Sequence, residues 1–228
     1  MCARMTLTIE TIDEIADTLD AEVAPDDARR HKRRYNVAPS DRHWILESGA
    51  DRRVLAQAQW GYLPTSPQRG SARARKPLIN VRGEQVASGH GFREAFASRR
   101  CAVVIDGFFE WNEQRAPFWY HRPDGGLILL AGLYQPALAG EDDPRFTVLT
   151  TRPNKLISAI HDRMPVIVPT ARIDDWLTAP PADAAALIGP APEDALIATP
   201  VSRRVNSVKN DDAACLAAPQ PDAQGSLF

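Results

Sequence analysis

In the segment TIDEIADTL the apolar residues Ile12, Ile15, Ala16 and Leu19 recur at the spacing of one helix face, and Thr11 with Glu14 has the form of a capping box. This pattern predicts an early amphipathic helix. RYNVAPSDRHWIL reads as extended around Pro39, and VLAQAQWGYLP as a strand that enters the polar, basic loop TSPQRGSARARK. FREAF predicts a short helix, and CAVVIDGFFEW a buried strand that turns at Asp106-Gly107. FWYHR and LILLAGLYQ are strand-like runs separated by the turn sequence PDGG, and RFTVLTT is a further strand. In RPNKLISAIHDRMP, Pro153 suits a first helical turn and Pro165 a stop, which places His161 near the C-terminal end of that helix. VIVP is a short strand, IDDWL a helix fragment, and the Ala/Pro-rich stretch to about 200 a loop with one weak helix.

Strands and helices mingle without regular alternation, and there is no internal repeat. The expected class is α+β with a largely antiparallel sheet. From Asp212 the composition drifts to Ala, Pro, Gln, Asp and Gly, so residues 1–211 are expected to form one domain and 212–228 a flexible tail.

The chain has 228 residues and 44% hydrophobic content, enough for a sizeable core. Arg4 and the acidic run from Glu10 leave no room for a signal peptide or a membrane span, which predicts a cytosolic protein. Cys2, Cys101 and Cys215 are odd in number and far apart, against a disulfide framework and against a zinc site. No metal or cofactor is expected. Net charge is −2, but between Arg52 and Arg100 ten Lys/Arg stand against two acids, a local net charge of +8. That excess suits a phosphate-facing surface, whereas the basic run RRHKRR at 29–34 fits a solvated face equally well.

Four polar residues stand beside turns or element ends: Cys2, Asn80 in LINVRGE, Glu110 in DGFFEW and His161 in AIHDRMP. Each also has an ordinary explanation. An Asn at a strand end forms turns, a Glu after two Phe can face solvent, and a His ending a helix complements its dipole. Spacing alone leaves both readings open.

MCxR, YNVAPS, WGYLP, INVRGE, FREAF, DGFFEW, LAGLY, FTVLTT, AIHDRMPVIV and VSRRVN occur in an order that resembles the SOS-response-associated peptidase (SRAP) family of abasic-site processing proteins, from Cys2 to about Asp211. Ala3 stands where the familiar opening MCGR has Gly. The resemblance implies a single domain with a mainly antiparallel, barrel-like β core flanked by helices. It also implies a monomer, in which the new N-terminal Cys2, once Met1 is removed, forms a thiazolidine crosslink with abasic sites in single-stranded DNA. Only an N-terminal Cys offers an α-amine and a thiol on adjacent carbons. By the same resemblance Glu110 is the acid/base at the amine, His161 protonates the sugar, and Asn80 holds the Cys2 end. Arg4, Arg82 and Arg163 would contact phosphates, Thr150 would line the DNA site, and Trp60 with Pro64 would support or wedge an unstacked base. For Trp60 a place in the core is an equal alternative.

Two other classes remain for comparison: a cysteine peptidase using Cys2 with His161, and a non-catalytic single-stranded nucleic-acid binder. The first leaves the basic region unexplained and the second leaves Cys2 unexplained. At the other end, Gln224, Leu227 and Phe228 of QGSLF resemble the short peptides by which bacterial repair proteins hold the sliding clamp, a further expected partner.

Overall fold

A computed structural model describes residues 2–23, 25–64, 76–87, 91–137, 140 and 143–220. Its strands are β1 (Met5–Leu7), β2 (Ala21–Val23), β3 (Arg34–Val37), β4 (Arg42–Ser48), β5 (Arg53–Trp60), β6 (Asn80–Arg82), β7 (Arg100–Ile105), β8 (Gly107–Trp111), β9 (Pro117–His121), β10 (Ile128–Gln135), β11 (Arg145–Thr151), β12 (Met164–Pro165), β13 (Ile167–Val168) and β14 (Ile197–Pro200). Short helices flank them: α1 (Ile12–Leu19), α2 (Pro25–Ala28), α3 (Arg93–Ser98), α4 (Lys155–Ser158), α5 (Ile173–Thr178) and α6 (Pro181–Ala185).

The strands form two sheets, one ordered β14-β9-β8-β1-β3 and the other β12-β11-β10-β7-β4-β5-β2. In the larger sheet β11 also pairs with β5, so β11-β10-β7-β4-β5 closes into a ring. The closing ladder is parallel and short, Arg145 opposite Gln59 and Phe146 opposite Trp60, so this is a ring of strands sealed at one end, not a regular barrel. Most other ladders are antiparallel, as the sequence predicts. β6 runs parallel to β11 and β2 parallel to β5.

Alternation along the ring strands divides the apolar residues between two cores. Ala102 and Val104 of β7 and Leu129, Ala131 and Leu133 of β10 pack under α1, α3 and α5 with Ile15, Leu19, Phe96 and Trp176. The intervening Cys101, Val103, Ile105, Ile128 and Leu130 pack on the opposite side with Cys2, Trp60, Phe108, Tyr120 and Phe146. Near-continuous apolar runs such as AVVI and LILLAGL follow from this, because both faces are covered.

Local signals explain where several elements begin and end. The Thr11 hydroxyl accepts the Glu14 N–H at the start of α1, one half of the expected box, and Asp20 ends the helix in the left-handed region at φ 46°. Gly107 lets the chain leave β7 for the other sheet: a Cβ there would lie 1.9 Å from the Trp119 indole nitrogen. The expected turn at Asp106 is thus a change of sheet. The Asp106 carboxylate accepts the Thr6 hydroxyl at 2.5 Å and the Thr8 N–H and hydroxyl at 2.6 Å, fastening β1 beside β8.

Three expectations need correction. The helix expected from Pro153 spans only Lys155–Ser158, because Asn154 accepts the Ile157 N–H and is itself the cap; Pro153 lies outside it, and His161 is in the turn beyond. The stretch before residue 200 holds α6 but also β14, whose pairing with β9 supplies order that its composition does not suggest. Past Asp211 the chain stays folded through a 3-10 turn, Ala213–Leu216, whose Cys215 is buried against Phe109, Val201 and Val205. Asp211 itself accepts the Tyr35 and Asn36 N–H groups at 2.6 and 2.9 Å. No helix among the described residues is long and apolar enough to cross a membrane.

Candidate active site

Cys2 lies just before β1 and is fully buried. The β1–β8 ladder sets Met5 opposite Phe108 and Thr6 opposite Gly107, and the Phe109 N–H donates to the Arg4 carbonyl at 3.1 Å. This carries the N-terminal segment along β8 toward Glu110. From the other side, the parallel β6–β11 ladder places Asn80 opposite Val148 and Arg82 opposite Thr150. Asn80 Nδ2 donates to the Cys2 carbonyl at 2.7 Å, while its Oδ1 is buried without a hydrogen-bond partner among the described residues. Gly83 permits the turn that follows, since a Cβ would lie 2.6 Å from Ile188 Cγ2 and 3.2 Å from the Thr150 carbonyl.

Electrostatics tie Glu110 and His161 to the same place. Burial pushes the Glu110 carboxyl up to about 7, offset in part by the charge and hydrogen bond of the amino terminus, with Asp162 adding to the rise. A carboxyl near 7 can both give and take a proton at neutral pH. Burial, and then the Glu110 charge, push the Cys2 thiol well above its ordinary range. His161 is shifted down, first by partial burial and then by the amino terminus, so it is neutral at neutral pH. Its Nδ1 accepts the Arg163 N–H at 3.0 Å, which assigns the hydrogen to Nε2. Asp162 Oδ1 is 2.9 Å from the same Nδ1, a position that suits it as acceptor once the imidazole is protonated.

Arg163 sets this turn. Its guanidinium grips both oxygens of Glu84 at 2.9 and 2.7 Å and donates to the Thr150 carbonyl at 2.6 Å. It therefore ties the turn after β6 to the His161 turn. Thr150 is buried, its hydroxyl donating to the Val81 carbonyl at 3.3 Å, so its place is under the site and not on a DNA-facing surface. Arg4 donates to Asn36 Oδ1 and the Val205 carbonyl, both at 2.8 Å, and lies 5.8 Å from the Trp111 ring centroid. These contacts make Arg4 first a link between the N-terminal segment and the C-terminal turns. Arg82 is exposed and available to a phosphate.

Trp60 corrects an expectation. It is fully buried, stacked on Phe146 with ring centroids 6.1 Å apart, and donates from Nε1 to the Ile79 carbonyl at 2.9 Å. It holds the ring closure together and cannot reach a base.

Sequence reasoning passed over Glu84, Asp162 and Tyr120. The first two lie two residues and one residue from predicted site residues. Tyr120, like Glu110, sits at an alternate position of a paired strand, a relation visible only once β8 and β9 are matched. Tyr120, Phe118, Leu156 and Ile160 wall a cleft of about 630 Å³ beside the site. Gln224, Leu227, Phe228 and the loop residues Arg69, Arg73 and Arg75 lie outside the described residues. Among the described residues no group of three or more His, Cys, Asp and Glu is placed to hold a metal.

Abasic site processing protein YoqW of Bacillus subtilis is 33% identical to this chain over 220 residues, covering 92% of this chain and 96% of its own length. Abasic site processing protein YedK of Escherichia coli is 30% identical over 188 residues, 79% of this chain and 82% of its own. Abasic site processing protein HMCES of Xenopus tropicalis is 27% identical, with 84% of this chain and 68% of its own length covered. Among solved structures, a protein from Bacteroides thetaiotaomicron superposes with a TM-score of 0.81 at 22% identity over 95% of this chain and 99% of its own, a likeness of fold. A protein from Bordetella bronchiseptica gives 0.73 at 25% identity over 88% and 100%. The sequence profile for SOS response associated peptidase (SRAP) matches residues 1–208, and the chain belongs to that family.

Proposed function

We propose that this protein recognises abasic sites in single-stranded DNA and joins them covalently through Cys2 after Met1 has been removed. The observation that carries the reading is that Asn80 holds the Cys2 carbonyl and the Glu110 charge acts on the Cys2 thiol, while Glu110 and His161 both feel the amino terminus. The open form of an abasic deoxyribose is an aldehyde. The neutral α-amine of Cys2, with an ordinary pKa of about 7.7–8.0, attacks its carbon. Loss of water gives an imine. The thiol then adds across the C=N bond, its sulfur bonding to carbon and its proton passing to nitrogen, which closes a five-membered thiazolidine.

Glu110 takes the proton from the attacking amine and returns it to the departing hydroxyl, while Nε2–H of His161 serves the sugar oxygen as the ring opens. Asn80 holds Cys2 in place, and its buried Oδ1, without a partner among the described residues, accepts from the sugar. Arg82 meets a neighbouring phosphate.

The peptidase reading is less well supported. A Cys/His peptidase needs a thiolate of lowered pKa, whereas burial and Glu110 raise the Cys2 thiol and His161 is held neutral. Intact mass before and after mixing with an oligonucleotide carrying one abasic site separates the readings. A missing Met1 and a DNA-sized, heat-stable adduct are expected, with Cys2→Ala giving only a labile adduct or strand cleavage. A stable adduct from Cys2→Ala, or none from the wild type, would refute the thiazolidine.

The same reading extends to the tail, where Gln224, Leu227 and Phe228 would fill the peptide cleft of a bacterial sliding clamp and raise the local concentration of Cys2 near exposed single strands. Binding of the 212–228 peptide to a purified clamp, lost on Leu227→Ala and Phe228→Ala, is the expected result. Equal binding by both peptides would exclude this role.

A further inference from the structure

In the β8–β9 ladder Phe108 is opposite Tyr120 and Glu110 is opposite Phe118. With a side-chain period of two, all four share one face, and Tyr120 is the diagonal neighbour of Glu110, within reach of long and aromatic side chains. The Tyr120 ring stacks on Phe108, centroids 5.3 Å apart and planes at 13°, which fixes its direction. The residue is fully buried, in the same core as Cys2, and its hydroxyl has no hydrogen-bond partner among the described residues.

An unsatisfied buried hydroxyl is unfavourable, and Phe at this position would stack on Phe108 equally well without it. The hydroxyl therefore gains a purpose only in a state that offers it an acceptor. Burial and then the charge of Glu110 raise Tyr120 to about 12, so it is a donor throughout the working range, and Glu110 is the charged group whose field reaches it. The groups facing Glu110 are the amino terminus, Asp162 from the turn after α4, Cys2 from the segment before β1, and Tyr120 from β9; the neighbouring His161 feels the same terminus. The amino terminus, on Met1 in the unprocessed chain, is the one that favours the ionised carboxylate; after Met1 removal the terminal charge is that of the Cys2 amine, and imine and thiazolidine formation remove it.

We propose that Tyr120 is a positioning residue for Glu110: once the terminal amine is consumed, the Tyr120 hydroxyl donates to the Glu110 carboxylate and keeps it ionised for the next proton transfer. This rests on the aminothiol chemistry proposed above.

The test uses the full chain after Met1 removal, with formaldehyde as the probe, since formaldehyde condenses with a 1,2-aminothiol to a thiazolidine without DNA. Carbon-13 NMR of labelled Glu side chains, with Glu110 assigned from Glu110→Gln, follows the carboxyl titration in wild type and Tyr120→Phe. In the capped protein the Glu110 midpoint of Tyr120→Phe is expected about one pH unit above wild type, as a lost hydrogen bond to a charged group implies. The acid limb of its rate of crosslinking to an abasic oligonucleotide should move the same way. Coincident midpoints, or a shifted midpoint with an unshifted rate profile, would overturn the role of Tyr120 alone. Absence of the capped mass in wild type would overturn the aminothiol reading and this one together.

Discussion

Asn80 Nδ2 lies 2.7 Å from the Cys2 carbonyl oxygen and binds the N-terminal segment to β6, across seventy-eight positions of sequence. One amide thereby fixes the residue proposed to react, and its other end, Oδ1, is buried and has no partner among the described residues. Asn80→Ala is expected to slow crosslinking by about 10–100-fold, the equivalent of one such bond. Asn80→Asp should be worse, because it sets a carboxylate oxygen against a carbonyl oxygen. Single-turnover adduct formation resolved on gels, with a thermal melt of each variant, measures this; an Asp variant faster than Ala would contradict it.

Glu110 is held near 7 against an ordinary value of 4.5, so the folded state binds a proton more tightly than the unfolded chain. The stability this provides is full below the unfolded pKa and is lost as pH rises through about 7. Above that the ionised carboxylate costs roughly 3 kcal/mol, an order-of-magnitude figure. Glu110→Gln should therefore be more stable than wild type at pH values above 7 and lose that advantage in acid. Urea unfolding of both proteins at several pH values tests the sign.

His43 acts in the opposite direction. It is buried, its Nε2 is 2.7 Å from the Val104 carbonyl, and burial lowers its pKa to about 4. Protonation is favoured in the unfolded chain, so stability falls as pH drops from the unfolded His value toward about 4. Replacing His43 with Gln should flatten the acid side of the stability curve, whatever its effect at neutral pH.

Trp60 predicts an effect on folding and not on binding. Trp60→Ala should cost about 3–5 kcal/mol, as for other buried aromatic residues. Trp60→Phe, which keeps the stack on Phe146 but loses the bond to Ile79, should lower the melting temperature while leaving the Kd for single-stranded DNA unchanged. A folded Trp60→Phe protein with much weaker DNA binding would return Trp60 to the interface.

Arg82 and Glu84 should separate binding from positioning. Arg82→Ala removes an exposed cation and is expected to weaken single-stranded DNA binding and reduce its salt dependence by about one ion. Glu84→Gln loosens the bidentate clasp on Arg163 and the His161 turn, and should slow crosslinking severalfold with little change in Kd. Titrations at two salt concentrations beside single-turnover rates give both quantities.

The sequence by itself determined the local elements and offered the candidate reactive residues. Helical spacing and the Thr11 cap specified α1, and apolar runs specified β5, β7, β10 and β11, because these signals act between residues close in the chain. The thiol and α-amine of Cys2 belong to one residue, so their proposed joint chemistry was legible without a fold. What the tertiary structure decided were relations between distant segments. The short parallel closure of β5 on β11 turned Trp60 inward, a choice its flanking residues left open. Sheet pairing made β14 a strand and brought Asn80 and Glu110 to Cys2, and the register of β8 against β9 put Tyr120 beside Glu110. Burial also decided the electrostatics: Glu110 and His43 have ordinary sequence neighbours, and their shifted pKa values arise from the removal of water by strands far away in the chain.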